Sequence, residues 1–504
     1  MALRIPSREE LSHLAQTMGF TLSAAETDAY AALMPGVFGL LNQLQQLPEP
    51  HPPRAFPERE PGHRPKPEDD PLNAIVRRCS IAGSSSGLLA GKRVGLKDNI
   101  SVAGIPMTCG STVLQGLTSD TDATIVTRLL EAGAEIVAIL NMDNFAFSGE
   151  GNTSAYGPTL NPHSLNHLAG GSSGGSAAAL YYDDIDVTIG GDQAGSIRIP
   201  ASWCGVVGLK PTHSLVPYTG IVGIDQTFDH VGPMGRCVAD VAQVLDVMAG
   251  KDPLDPRQYD VPVQAYAAAL GPDLDGVRIG VLREGFGAPG SEPDVDAAVR
   301  TTLDQLAAHG ASVTEVSVPA HITARALHRG LVTEGMAALL QHNGMGYHWR
   351  GAYNANLAIA FGKGLQTMAD DLPPNVKLLT MVGTYLRQHY HSRIYAKAQN
   401  LRPSFRAQYD EVLSQVDVLA MPTTPMKAHL HEADLDLRQF VARGGNITSN
   451  TVAFDVTGHP AISLPCALSE GLPVGLMLVG RHFDDASVLA IAHAVEQQID
   501  WRAA

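Results

Sequence analysis

Two glycine-rich tracts carry the serines that could do chemistry. LAGGSSGGSAAAL holds Ser172 and Ser173, and GGDQAGSIRIP holds Ser196, 24 residues beyond Ser172. Such tracts commonly cradle phosphate or supply flexibility. A Walker loop needs GxxxxGK[ST], and no lysine follows GGSSGG, so a nucleotide site is not indicated. GEGNTS at 149–154 is only half of a dinucleotide fingerprint. GSSSG at 83–87 fits the pattern GxSxG, but RRCSIA before it and LLAGKR after it do not supply the strand–turn–helix setting of a nucleophile elbow. Ser84, Ser85 and Ser86 therefore read as loop residues. The 19 histidines include no HExxH and no set at metal-ligand spacing, so no metal centre is expected.

The remaining chemical candidate is Lys97, at the end of the apolar run RVGLK. A lysine there ordinarily snorkels to the surface. Its functional alternative is a desolvated base. At a reference pKa of about 10.4, roughly one lysine in 2,500 is neutral at pH 7, and moving that value to about 7–8 takes about 3–5 kcal/mol of differential interaction. Burial among glycines and apolar strands, away from a carboxylate, acts in this direction. Asp98 is adjacent, but neighbouring side chains on a strand point to opposite faces, so it need not pair with Lys97.

These residues need a scaffold, and the chain supplies an alternating one. KRVGLKDNI reads as a strand; TDATIVTRLLEAGAEIVAIL as a helix ended by Gly133 and then the buried strand EIVAIL; DVTIGGD, VRIGVL and QVDVLAMP as further strands; and PDVDAAVRTTLDQLAAHGASVTEVSV as helix and strand again. The pattern predicts an α/β fold, a large sheet covered by helices on both faces. Before it, Ser7 with Glu10 and Ser23 with Glu26 form two capping boxes, and Pro35 is expected to split or kink the second helix. This gives a helical N-terminal extension at 1–47, a proline-rich linker at 48–71 in extended conformation, and a main domain at 72–504.

Composition narrows the class. The formal charge of −16 disfavours binding to phosphate backbones. Five scattered cysteines with no CxxC argue against a disulfide framework or zinc ribbon and fit a cytoplasmic location. The N-terminal segment mixes charges and lacks the apolar run of a secretory signal. The most apolar stretch, 460–480, contains Glu470, two internal prolines and two internal glycines; it reads as two strands joined by a turn, not a membrane span.

Taken together, GLKDNI, GGSSGGS and GGDQAGSIRIPASWCGVVGLKPT resemble the amidase signature family. The resemblance runs from about residue 72 onward and includes GNTSAYGPTLNP, DHVGPMGR, GHPAISLPC and GLPVGLMLVG. The helical N-terminus and YAKAQNLR most resemble the bacterial, enantioselective amidases encoded beside nitrile hydratases. The resemblance implies an α/β/α layered fold with a large mixed, twisted sheet. It also implies a Ser–cis-Ser–Lys triad: Ser196 as nucleophile, Ser172 as bridge with a cis peptide after Gly171, and Lys97 as base. Backbone N–H groups of Gln193, Ala194, Gly195 and Ser196 are implied as the oxyanion hole, with Gly171 and Ser173 beside it. Ala194 departs from the glycine many members carry, which puts substrate size in question. Asp192, Thr153 and Ser154 are expected to support the loop, Arg198 to form a structural ion pair, and Phe147, Thr153 and Cys109 to border the pocket unless they are plain core.

The function implied is hydrolysis of small aliphatic or aromatic carboxamides to acid and ammonia. No cofactor, nucleic acid or membrane partner is expected, and a homodimer is. Rival readings keep the chemistry on anilides, carbamates or lipid amides, or make the chain a tRNA-dependent amidotransferase component. A catalytically dead binding module conflicts with the intact Lys97, Ser172 and Ser196.

Overall fold

A computed structural model describes residues 3–49, 54–271 and 273–503. The chain forms two compact units, Met1–Pro53 and Arg54–Ala504. In the first, helices α1 (Arg8–Thr17) and α2 (Ala24–Gln45) begin at the two capping boxes, each closed reciprocally by serine and glutamate. Pro35 does not split α2, which runs through it. One i→i−4 bond is lost there, and the alanines and leucines on either side carry the helix across.

Among the described residues, the second unit is built on a twelve-stranded sheet. Its first strands are β1 (Glu60–His63), β2 (Ile75–Ala82), β3 (Arg93–Lys97) and β4 (Glu135–Leu140). A separate ribbon, β5 (Leu160–Asn161) with β6 (Ser164–Leu168), follows. The sheet continues with β7 (Val187–Asp192), β8 (Val207–Lys210), β9 (His230–Gly235), β10 (Arg278–Leu282) and β11 (Ser312–Val316). It ends with β12 (Val418–Pro422), β13 (Ala461–Ser469) and β14 (Leu472–Val479). The spatial order is β1-β2-β4-β3-β7-β9-β8-β13-β14-β12-β10-β11. Parallel pairs β4/β3/β7 and β12/β10/β11 flank an antiparallel centre. The apolar stretch 460–480 is the hairpin β13–β14, and no helix among the described residues is long and apolar enough to cross a membrane.

Strand alternation sorts side chains onto two faces. Val418, Ala420, Leu476 and Leu478 join one core; their neighbours Leu419, Met421, Met477 and Val479 join another. The first core is covered by α3 (Thr124–Glu131), α6 (Val238–Met248), α7 (Pro293–Ala308) and the C-terminal helix Asp485–Gln498. Against the second face lie α4 (Gly174–Ala178), α5 (Arg198–Cys204) and the helices Arg393–Leu413 and Val452–Thr457. The fold is thus the layered α/β/α arrangement that the alternation predicts.

The proline-rich segment is more than a spacer. Pro50, Pro52 and Pro53 lie outside the described residues, but β1 within it adds an antiparallel edge to β2. The Arg59 side chain is buried there, donating to Asp122 from both Nη1 and Nη2 at 2.6 Å and to Ala103 O at 3.0 Å. Prolines suit such an edge because their missing N–H groups need no ladder partner.

Candidate active site

Three adjacent parallel strands, β4, β3 and β7, end side by side. The carboxyl end of such strands is where open α/β sheets bind ligands. Lys97 is the last residue of β3 and Asp192 the last of β7. Leu96 joins the first-face core, so Lys97 points to the other face, toward the Gly-Ser loop ahead of α4.

Lys97 is fully buried. Its Nζ lies 2.7 Å from Ser172 Oγ, 2.8 Å from Ser173 Oγ and 3.3 Å from Gly191 O. Among the described residues no carboxylate pairs with it; Asp98 turns instead to Thr108 and the N–H of Gly110. Burial pushes the Lys97 ammonium down to about 7, against the more distant pull of Asp143 and Asp192. The peptide between Gly171 and Ser172 is cis.

Hydrogen-bond accounting orients these groups. Ser173 Oγ donates to Gly191 O at 3.0 Å and accepts from Gly191 N at 3.2 Å. Its proton is committed, so toward Lys97 it can only accept. A neutral lysine then spends its two N–H groups on Ser173 Oγ and Gly191 O, and its lone pair meets the O–H of Ser172. Ser173 thus supports the lysine and does not line an oxyanion pocket. Its N–H also bonds Ser196 O at 3.2 Å, tying the two loops together. Ser196 is buried at 4 % exposure, and its Oγ makes no hydrogen bond among the described residues.

The loop from Asp192 to Ile197 is organised by Asp192. Its Oδ1 accepts from Gly195 N at 2.5 Å and its Oδ2 from Ile197 N at 3.2 Å. Arg198 Nε and Nη2 donate to the same carboxylate at 2.9 and 3.0 Å, and Nη2 also reaches Asp455 at 2.8 Å. Burial opposes ionisation of Asp192, but Arg198 outweighs it and holds the group well below the usual carboxylate range. Asp455 makes fewer such bonds and is pushed up by burial and by the charge on Asp192. Its Oδ1 faces His230 Nδ1 at 3.5 Å, and neither atom has another partner among the described residues. Arg198 is therefore the structural ion pair expected.

Two expected oxyanion donors fall away. The N–H of Gly195 is taken by Asp192, and that of Gly171 by Gly149 O at 2.9 Å. Their glycine identity has another cause. A Cβ on Gly195, at φ +120°, would overlap Thr451, and one on Gly171 would overlap Asp143 Oδ2. Among the described residues, Ala194 N and Ser196 N have no intramolecular partner. Gln193 is fixed through its carbonyl by His328 Nε2 at 2.8 Å and through its side chain by Tyr218 Oη at 3.0 Å. Thr451 Oγ1 donates to Ala194 O at 2.5 Å.

The expected pocket residues sit deeper than a pocket wall. Cys109 is fully buried, with a thiol pushed well up by burial, and Phe147 belongs to the same apolar core. Thr153 donates to Asp143 through N and Oγ1, both at 2.8 Å, and Ser154 to Asn141 at 2.6 Å. Asp143, three residues beyond β4, is the group sequence reasoning missed. Its N–H bonds Ser172 O at 3.2 Å, and burial raises its carboxyl to about 6. Its place after a parallel strand was the available signal. His328 and Thr451, more than 100 residues from the loop they hold, left none. A cavity of about 630 Å³ shares Tyr218 with this region and is walled by Asp225, Asp229, Glu334 and Trp349.

The class now follows from comparison. The Amidase family model matches residues 73–489. An enantioselective amidase from Rhodococcus rhodochrous is 38% identical over 504 residues, covering 98% of this chain and 96% of the relative. The A component of a glutamyl-tRNA(Gln) amidotransferase from Synechococcus sp. (strain CC9902) is 39% identical over 431 residues, covering 84% and 86%. The solved structure of the peptide amidase PAM with the competitive inhibitor chymostatin superposes with a TM-score of 0.68 at 28% identity, covering 86% of this chain and 91% of that one. The chain belongs to the amidase signature family and is an amidase-class enzyme.

Proposed function

We propose that this enzyme hydrolyses carboxamides to carboxylic acid and ammonia through an acyl-enzyme on Ser196. The observation that carries the reading is the placement of Lys97: buried, without a carboxylate partner among the described residues and 2.7 Å from Ser172 Oγ, it can accept the Ser172 proton when neutral. Ser172 then accepts the proton of Ser196, whose Oγ attacks the amide carbon. Ser196 Oγ makes no hydrogen bond among the described residues, and in this reading its bond to Ser172 forms when substrate arrives, as catalytic bonds often close only in the complex. Ala194 N and Ser196 N, with Gln193 N beside them, receive the oxyanion; one such donor is worth about 2.7–4 kcal/mol. The proton returns through Ser172 to the leaving nitrogen, ammonia departs, and water cleaves the ester by the same relay.

A second reading, an amidotransferase component, is supported by relatives of that name. Against it stands coverage: the Rhodococcus amidase matches 98% of this chain, the amidotransferase relative 84%. The homodimer in this reading is supported by an exposed apolar row on α2, Leu33, Val37, Leu40 and Leu44, which size-exclusion chromatography with light scattering tests.

The purified chain alone should release ammonia from benzamide or propionamide; activity confined to a complex with a partner protein and charged tRNA would establish the second reading instead. A panel of anilides, carbamates and long-chain amides ranks the acyl and amine preferences. Ser196→Ala should lose labelling by a fluorophosphonate probe, and a persisting adduct would remove Ser196 as nucleophile.

A further inference from the structure

The cavity of about 630 Å³ falls within the roughly 300–1,000 Å³ of small-molecule sites. None of Lys97, Ser172 and Ser196 lines it. It opens between the segment 218–229 and the C-terminal half of α8 (Ala324–Gln341), with Tyr395 of the helix Arg393–Leu413 beside them. Hydrogen bonds draw three carboxylates together in its wall. Asp229 Oδ2 accepts from Asp225 N at 3.0 Å, and Asp225 Oδ2 from Tyr395 Oη at 2.8 Å. Glu334 Oε1 accepts from Tyr395 N at 3.2 Å. A Cβ on Gly335 would stand 3.3 Å from Asp225 Oδ2, so this turn of α8 packs directly on Asp225.

None of the three has a cationic partner among the described residues. Arg257 is committed to Asp255. Arg402 spends Nε, Nη1 and Nη2 on Val456 O, Gln399 Oε1 and Thr227 O. Arg387 donates to Gln341 Oε1 at the exposed rim, where the His342 ring meets Tyr347. Yet Asp229 is 1% exposed and Glu334 8%. Asp229 Oδ1 and Glu334 Oε2 accept no hydrogen bond among the described residues, and Glu334 Oε2 is the one open to the cavity. Burial and the charge of Asp225 push the Asp229 carboxyl well up, against the pull of Arg257. A donor cation entering the cavity would offset this desolvation.

The other walls select the kind of cation. Tyr218, Tyr347, Trp349 and Tyr353 line the cavity. The Trp349 and Tyr353 rings stack at 3.9 Å, and Arg257 already lies 4.7 Å over Tyr218. Val222, Ile224 and Leu357 add apolar surface. No group of three His, Cys, Asp or Glu among the described residues is placed to hold a metal ion. An ammonium on an aromatic body matches both the carboxylates and the rings.

We propose that this cavity binds a primary ammonium carried on an aromatic body, the ammonium donating to Glu334 Oε2 and the ring lying against Trp349 and Tyr353. The site uses none of the reacting groups, so it stands whether or not Ser196 is the nucleophile.

The test titrates the full chain with phenethylammonium and with 2-phenylethanol, which share size and shape and differ in charge. Calorimetry should show the ammonium binding at least about tenfold more tightly, an advantage that shrinks with salt. Glu334→Gln keeps the volume and an acceptor for Tyr395 N, and should remove most of that advantage. Tyr353→Leu, at a position 37% exposed, should weaken the ammonium by about threefold or more. Circular dichroism checks that each variant is folded. Binding should also quench tryptophan fluorescence in the wild type and not in Trp349→Phe, which separates this cavity from the surroundings of Trp203 and Trp501. Equal affinity for the two probes, affinity unmoved in folded Glu334→Gln, or a quench that persists in Trp349→Phe overturns the proposal. If Glu334→Gln does not fold, the probe pair, Tyr353→Leu and Trp349→Phe decide it.

Discussion

Lys97 Nζ lies 2.7 Å from Ser172 Oγ while Asp98, its neighbour in sequence, bonds Thr108 Oγ1 at 2.5 Å. The lysine is thereby left with hydroxyl and carbonyl partners alone, and burial lowers it to about 7. Protonated lysine has no lone pair to accept from Ser172. Activity is therefore lost as pH falls and gained as it rises. kcat/KM should climb about tenfold per pH unit below about 7 and level off above it. Lys97→Met should lower kcat/KM by about 10⁴-fold and abolish that limb. A pH–rate profile of both enzymes checks this; a limb surviving in Lys97→Met would place the base elsewhere.

Asp192 accepts four donors, and Asn cannot replace it. One amide oxygen can still take Gly195 N, but the amide NH₂ would face Arg198 Nε and Ile197 N, donor against donor. Leaving buried donors unpaired costs about 1–3 kcal/mol each. Asp192→Asn should lower the urea midpoint and reduce kcat by at least about 100-fold, since Gly195 and Ser196 share the loop. Parallel denaturation and rate measurements on the one variant would sink this account if kcat were unchanged.

Ala194 packs against the core that contains Val452 and Phe454. Removing its methyl frees space beside a donor that remains in place. Ala194→Gly should raise kcat/KM for branched acyl groups relative to linear ones by about tenfold, the scale at which a pocket discriminates one methylene. Competition between isobutyramide and butyramide measures it, and an unchanged ratio would show that the methyl does not border the acyl group.

Arg59 and Asp122 are 4% and 7% exposed at their side chains and 2.6 Å apart. Breaking a buried pair by removing one partner costs about 3–5 kcal/mol. Arg59→Ala should lower the unfolding free energy by that amount and open the edge around β1 to proteolysis. Limited digestion with mass spectrometry locates the cut; protection equal to wild type would mean that the strand is held by other contacts.

Much of this protein is legible in its sequence. The alternation of strands and helices around Lys97 follows from periodicity, because an amphipathic segment must bury one face whatever lies opposite; RRCSIA, which lies in β2, and the edge strand β1 do not show in it. The chemical candidates are legible too: a lysine ending an apolar strand and two serines in glycine tracts carry the resemblance that implies one reaction class. Sequence does not say which N–H groups are free. Gly195 and Gly171 look like oxyanion donors until Asp192 and Gly149 are seen to occupy them. Nor does it bring Asp143, His328 or Thr451 to the loops that carry the serines, since each meets its partner across a sequence gap that periodicity does not span. A hydrogen-bonding group takes one partner from many chemically equivalent ones. Composition limits the choice, and only the packing of distant elements makes it.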